Sequence, residues 1–146
     1  MTLDTENLFH VSDLPNIDRF DPRPVPSLDA GVQGEAVWAI DGRHLPNYIL
    51  PRDCPRVCFG IGPHTSCEDR TRFFEGTSSV RVIAVESGWL ERIREARLYV
   101  YSFSPADFQK VDQDAGYFIS RSPVVPVKIM PVTDIFKALL DLGVEL

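Results

Sequence analysis

The feature with the most chemical potential is a single histidine on an apolar run, Leu8-Phe9-His10-Val11-Ser12. Asp13-Leu14-Pro15-Asn16 comes next and must turn. On a strand Ser12 shares a face with His10, so the run offers a ring nitrogen and a hydroxyl just before a loop. Such a histidine is ordinarily a core residue satisfied by a backbone carbonyl. Beside a cleft it is a ligand contact or a proton carrier. Trp38, inside the apolar run Ala36 to Ile40, and Tyr48 further on supply the aromatic faces that a planar ligand needs.

Cysteine and histidine come together once, at Cys54, Cys58, His64 and Cys67. These are zinc-type ligands, but structural zinc favours knuckles of the C-x2-C type. Cys58 lies inside an apolar strand pattern and reads as core, and Cys67 reads as a residue of a first helical turn. Cys54, flanked by Asp53 and by Pro55-Arg56, is a candidate thiol nucleophile if nearby arginines lower its pKa. Arg52, Arg56, Arg70 and Arg72 are suited to phosphate by bidentate hydrogen bonding, but Asp53, Glu68, Asp69 and Glu75 are interleaved with them. No serine-hydrolase elbow, P-loop or dinucleotide glycine pattern is present, and Gly60-Ile61-Gly62 alone is too short to count.

The elements that must position these residues are short. Residues 1–6 read as a disordered leader, Leu8 to Ser12 as a strand, and Ile17 to Phe20 as a second extended piece. Asp21-Pro22-Arg23-Pro24-Val25-Pro26 is extended because each proline fixes its own φ and restricts its predecessor. Residues 21–35 form a Pro/Gly-rich loop, with Leu28 to Glu35 its most flexible part. Ala36 to Ile40 is a buried strand. Asp41 caps a short helix carrying His44, Leu45 and Tyr48, with Pro46 in its first turn. Arg56 to Ile61 is a third strand.

Thr65-Ser66-Cys67-Glu68 fits a capping box with Thr65 as the cap, opening a helix from Ser66 to about Phe74 that stops at Gly76. Arg81 to Val85 is the central strand, Ser87 caps a helix over Trp89, Leu90 and Ile93, and Leu98 to Phe103 alternates like a half-buried strand. Ser104-Pro105-Ala106-Asp107 opens a short helix with Phe108 and Val111. Gly116 to Ser120 and Val124 to Val132 are further strands, with an edge or bend at Pro123 and Pro126. Thr133 caps a final helix, Asp134 to Leu142, with Gly143 as its stop. Val144-Glu145-Leu146 opens another strand, which raises the expectation of a truncated C-terminus.

This order of elements is α+β, in a single domain of 146 residues. A net charge of −6 and a pI near 5.0 argue against broad attraction to nucleic acid or anionic membranes. No apolar run approaches the roughly 18 residues of a membrane span, and the N-terminus has no signal-peptide pattern, so a cytoplasmic protein is expected. Three cysteines argue against a disulfide framework. Five of the 12 prolines fall between Pro15 and Pro46, so the first third should wrap a core as loop.

Several of these stretches together resemble an uncharacterised bacterial family, a domain of unknown function. They are Leu8 to Pro15, Val37 to Asp41 with His44 to Tyr48, Leu50 to Val57, Glu68-Asp69-Arg70 with Arg72-Phe73-Phe74, and Glu86-Ser87 with Trp89-Leu90-Glu91. The resemblance covers nearly the whole chain.

More distantly, the layout is similar to the ADP-ribosyltransferase-like fold. That fold opens on a strand with a Y/F-H-x-S/T motif, matched here by Phe9-His10-Val11-Ser12. It implies two small twisted, mainly antiparallel sheets facing across a cleft, with short peripheral helices. It also implies NAD or a related nucleotide as substrate or ligand, with no further cofactor required. By this resemblance His10 and Ser12 meet a ribose, Trp38, Tyr48 and Tyr117 frame the nicotinamide, and Arg52 or Arg121 meets phosphate. His10, Trp38 and Tyr48 would stand at the mouth of the cleft.

One departure matters. Where such proteins carry a catalytic glutamate, this chain has Gly116-Tyr117. Losing a carboxylate aimed at developing positive charge costs several kcal/mol of transition-state stabilisation. Either Asp112 or Asp114 replaces it, or the protein is a non-catalytic module that binds a nucleotide-like ligand or a protein partner through the same cleft.

Overall fold

The computed structural model describes residues 1–25 and 31–146. Strand β1 (Leu8–Ser12) forms where the apolar run places it. It ends because Ser12 Oγ accepts the Leu14 N–H (3.1 Å) and Asn16 takes a left-handed φ of 61°, which asparagine tolerates. Ile17 to Phe20 forms no strand. Phe20 instead makes an isolated bridge to Val124, each N–H donating to the other's carbonyl (2.8 and 2.9 Å). Inside the proline-rich stretch a two-residue strand, β2 (Arg23–Pro24), pairs with β3 (Glu35–Asp41). The expected flexible loop from Leu28 lies in part outside the described residues.

After β3 comes a 3-10 turn, Leu45–Tyr48, then β4 (Val57–Gly60), α1 (Cys67–Phe74) and β5 (Arg81–Ala84). The cap of α1 is Ser66, whose hydroxyl accepts the Asp69 N–H (3.1 Å). Thr65 Oγ1 is already taken by Gly62 N–H (2.8 Å), which corrects the expected capping box. A 3-10 turn, Ser87–Trp89, leads into α2 (Leu90–Glu95) and β6 (Leu98–Phe103). β6 is buried on both faces rather than half-buried.

Ser104 caps only the 3-10 turn Pro105–Asp107. The expected helix over Phe108 and Val111 is instead β7 (Gln109–Asp112), drawn out by pairing with β8 (Tyr117–Ser120). Tertiary pairing there overrides a local capping signal. β9 (Lys128–Val132) is an edge strand containing Pro131, a position where the missing N–H is tolerated. α3 (Ile135–Asp141) is capped by Asp134, which accepts the Lys137 N–H (2.9 Å), not by Thr133. β10 (Val144–Glu145) closes the described chain.

Two sheets result. The larger runs β7-β8-β3-β1-β6-β9 with β2 beside β3, and the smaller runs β10-β5-β4. All pairings are antiparallel except β5 with β10. The α+β class with two sheets and few short helices is therefore as the sequence implied. Register assigns the faces of the large sheet. Phe9 opposes Ile40, so Phe9, Val11, Ile40 and Trp38 share one face, whereas Leu8, His10, Ser12, Val37 and Ala39 share the other.

The first face packs with Ile83 and Val144 of the small sheet, Ile93 of α2 and Ile135 and Leu139 of α3 into one core. The second is covered by Ile17 and Phe20 of the wrapped loop and by Val124 of the segment between β8 and β9. Tyr101 is wholly buried there, its hydroxyl donating to Leu14 O (2.6 Å) and accepting from Ile17 N–H (3.2 Å). A buried hydroxyl with both roles satisfied pins the turn after β1 to the sheet.

Residues 1–6, expected as a disordered leader, reach the body of the chain at two points. The Met1 ammonium pairs with Asp141 (2.6 Å), and Met1 and Leu3 pack against the core. No helix among the described residues is long and apolar enough to cross a membrane.

Candidate functional site

Backbone groups of successive strand residues point to opposite edges. Asp41 N–H donates to Gly116 O (3.0 Å), on the β8 side of β3. Trp38 and Gly34 therefore turn their carbonyls to the opposite edge, where Gly34 O accepts from Val25 N–H (3.0 Å). That edge is shared: β1 pairs with Ile40 and Asp41, and β2 with Glu35 and Ala36. Between them the Trp38 carbonyl is met by an imidazole, His10 Nδ1 at 3.1 Å.

A carbonyl can only accept, so Nδ1 carries the proton and Nε2 presents a lone pair. Nε2 has no hydrogen-bond partner among the described residues. The ring packs edge-on against Phe20 at 5.1 Å. Burial holds the His10 pKa below its ordinary value of 6.5. The bond to Trp38 works the other way, and the positive charges of Arg52 and Arg23 add to the depression. The ring is neutral at physiological pH.

This neutrality makes stability depend on pH. As pH falls through 6.5 the unfolded chain takes up a proton at His10 while the folded chain does not. Stability present above pH 6.5 is lost down through the lowered folded value. Urea midpoints measured across that window should fall more steeply for wild type than for His10→Gln, which keeps an amide donor but does not titrate. Parallel curves for the two proteins would rule this out.

Trp38 and His10 were expected side by side at a cleft mouth. They lie instead on opposite faces of the sheet and meet only through the Trp38 carbonyl, because β1 and β3 pair with Phe9, not His10, opposite Ile40. The Trp38 indole stands edge-on to Tyr117 (5.7 Å, 86°), and the Tyr48 hydroxyl donates to the Tyr117 hydroxyl (2.9 Å). Trp38, Tyr117 and Tyr48 thus form a continuous aromatic row on the face turned to the small sheet. Burial, and then the bond to Tyr117, push the Tyr48 pKa above its ordinary range. Trp38 Nε1 is enclosed without a hydrogen-bond partner among the described residues.

Across the core from this row lies the inner face of the small sheet, where Cys58 and Ile83 are cross-strand partners; Gly60 and Arg81 are also cross-strand partners. Arg81 donates to the Arg43 carbonyl. Its guanidinium pKa is lowered by burial and by the nearby Arg43 charge, against the opposing pull of Cys58 and Asp41. Arg52, exposed, comes from the segment beside Tyr48, and its field still reaches His10 on the other face.

The other residues singled out from the sequence are occupied. Ser12 Oγ holds the turn. Arg121 donates to the carbonyls of Gln33 (2.6 Å) and Glu35 (2.7 Å), fastening the strand end. Asp112 Oδ1 caps its own turn at Asp114 and Ala115, and Asp114 is exposed.

Two features were not foreseen. Arg23, read only as part of a proline-rich loop, is brought beside His10 by β2. At the other end of β3, Asp41 Oδ1 accepts both the His44 N–H (2.9 Å) and its Nδ1–H (2.7 Å). This pair rests against Gly116, whose φ is +69° and where an added Cβ would fall 2.7 Å from Asp41 Oδ2 and closer still to His44 Nδ1. A glutamate has no space at that position. The D-x-x-H spacing was legible as a cap. Its packing on a glycine at the start of β8 was not.

The cysteine candidates separate. Among the described residues no group of three or more His, Cys, Asp or Glu is placed to hold a metal ion. Cys54 is buried, and burial pushes its thiol pKa up despite Arg56, the reverse of an activated nucleophile. A depression lined by Phe59, Gly62, His64, Asp69 and Phe73 lies on the outer face of β4, away from His10 and the aromatic row.

In comparison with known proteins, one family profile matches, described as "Family of unknown function (DUF6886)", over residues 9–146. Neither a curated protein nor a solved structure gives a match.

Proposed function

As the chain belongs to this family of unknown function, we propose from its geometry that it binds NAD or a related ribonucleotide in the manner of ADP-ribosyltransferase-like proteins. The observation that carries the reading is His10, a buried neutral imidazole with its proton committed to Trp38 O and lying within the field of Arg52 and Arg23. A neutral ring with a lone pair on Nε2 accepts from a hydroxyl, whereas Arg23 and Arg52 attract an anion. A ribose linked to phosphate presents both groups within one ligand.

One observation favours a second reading, a module that binds such a ligand without transferring it. Where the resemblance puts a glutamate stands Gly116-Tyr117, and Gly116 has no room for one.

Calorimetry and thermal shift with NAD and ADP-ribose test the binding. Ligand at about a hundredfold excess over Kd should stabilise the protein by about 2.7 kcal/mol. His10→Ala and Arg52→Ala should each weaken binding about tenfold or more, the loss of one charge-assisted or buried hydrogen bond. No shift with either compound would remove the reading.

A further inference from the structure

The depression on the outer face of β4 takes no part in the contacts proposed for the ligand. Phe59 faces outward there because its neighbour Cys58 faces the core beside Ile83. Its ring meets two others from α1, Phe73 at 5.9 Å and 63° and Phe74 at 5.7 Å and 72°. These three rings, with His64, Thr65 and Asp69, line a depression of about 470 Å³. Its rim is fixed before any ligand arrives. Gly62 N–H donates to Thr65 Oγ1 (2.8 Å), Thr65 N–H donates to Gly62 O (3.2 Å), and Ser66 caps α1. Phe74 is buried and anchors the cluster, whereas Phe73 stays 50 % exposed, an apolar ring held open to water in the same depression as a carboxylate.

We propose that this depression binds a small molecule carrying a quaternary ammonium group. Rings crossing at 63° and 72° form no pair of parallel walls, so a flat ring is not sandwiched between them. A compact cation meets several rings at once and is drawn by their quadrupoles. Asp69 supplies the opposite charge, and its carboxylate makes no ion pair among the described residues. The Phe73 ring already holds one cation, the Arg72 guanidinium 5.3 Å from its centroid. Methylated nitrogen fits better than a primary ammonium or a guanidinium, because three phenyl rings leave the N–H donors of those groups without acceptors. The lining comes from β4, the turn that follows it and α1, which suits a small head group more than the length of a peptide. This site is independent of the ligand reading at His10.

The test titrates the protein with choline and with tetramethylammonium, read by calorimetry and by the ring-proton NMR signals of Phe59, Phe73 and Phe74. Both cations should bind and shift those signals. The neutral isostere of choline, with carbon in place of nitrogen, should bind about tenfold more weakly or not at all. Asp69→Asn should weaken choline binding about tenfold and Phe73→Leu about fivefold. Both side chains are exposed, and thermal unfolding checks that the variants stay folded. Arg72→Gln, which removes a competing cation from Phe73, should tighten binding. Equal binding of the neutral isostere, or unchanged affinity in Asp69→Asn, overturns the cation site. Tighter binding of a trimethyllysine peptide than of choline overturns the small-molecule assignment. No binding of either cation overturns the proposal as a whole and leaves the reading at His10 standing.

Discussion

Gly116→Ala should cost about 3–5 kcal/mol of stability, visible as a fall of about 10 °C or more in Tm. Two effects add. The left-handed φ of +69° is a conformation that alanine adopts only at about 1–2 kcal/mol. The added Cβ would also fall 2.7 Å from Asp41 Oδ2 and closer to His44 Nδ1, and neither atom is the loose end of a flexible side chain. His44 Nδ1 is bonded to Oδ1 of the same Asp41 carboxylate, and that Oδ1 also holds the His44 backbone N–H. Nor can the backbone slide away freely, because Gly116 O accepts the Asp41 N–H at 3.0 Å. Gly76→Ala is the control: its added Cβ would meet nothing within 4 Å at an ordinary φ, so it should be neutral or slightly stabilising. A Gly116→Ala protein within about 1 kcal/mol of wild type in urea would show that the pair moves aside at little cost.

The two histidines share a construction and differ in the partner on Nδ1. His10 gives its proton to a peptide carbonyl and His44 to a carboxylate. A carbonyl fixes orientation and favours a charged ring, but burial, with the charges of Arg52 and Arg23, outweighs it and holds the His10 pKa down. A carboxylate supplies the countercharge that an imidazolium needs.

What was legible in the sequence was local. β1 and β6 arise from apolar runs of strand length, and β5 is central to its sheet as its β-branched run implied. The features that were not legible depend on partners distant in sequence. Strand periodicity puts His10 and Ser12 on one face, but only the register of β1 on β3 shows that Trp38 points to the other. Ser104-Pro105 signals a helix start and does cap one turn, yet pairing with β8 draws the residues after Phe108 into β7. Arg23 carries no signal of its own inside a proline-rich stretch, and it becomes a neighbour of His10 because β2 occupies the edge of β3 left beyond β1. Asp41 and His44 form a local pattern, whereas the glycine that gives them space lies far along the chain.

Arg56→Met should cost about 2–4 kcal/mol, with Arg56→Lys recovering less than half of it. The guanidinium spans four backbone acceptors: Cys54 O through Nε (3.0 Å), Asn47 O through Nη1 (2.9 Å), and Pro51 O (2.6 Å) and Arg52 O (3.4 Å) through Nη2. The carbonyls of this proline-punctuated segment have few other donors, because Pro51 and Pro55 interrupt any helix or ladder that would pair them. Methionine fills the space of the stem and supplies no donor. Lysine supplies donors from one point and cannot reach Asn47 and Cys54 together. The segment also contributes Ile49, Leu50 and Cys54 to the core, so its loosening should be felt locally before the whole protein unfolds. Thiol labelling read by peptide mass should show Cys54, buried in wild type, reacting faster in Arg56→Met under native conditions. Because the same segment carries Tyr48 and Arg52, the NAD affinity proposed above should also fall even where the variant remains folded. Wild-type labelling of Cys54 combined with an unchanged urea midpoint would show that water replaces the guanidinium without loss.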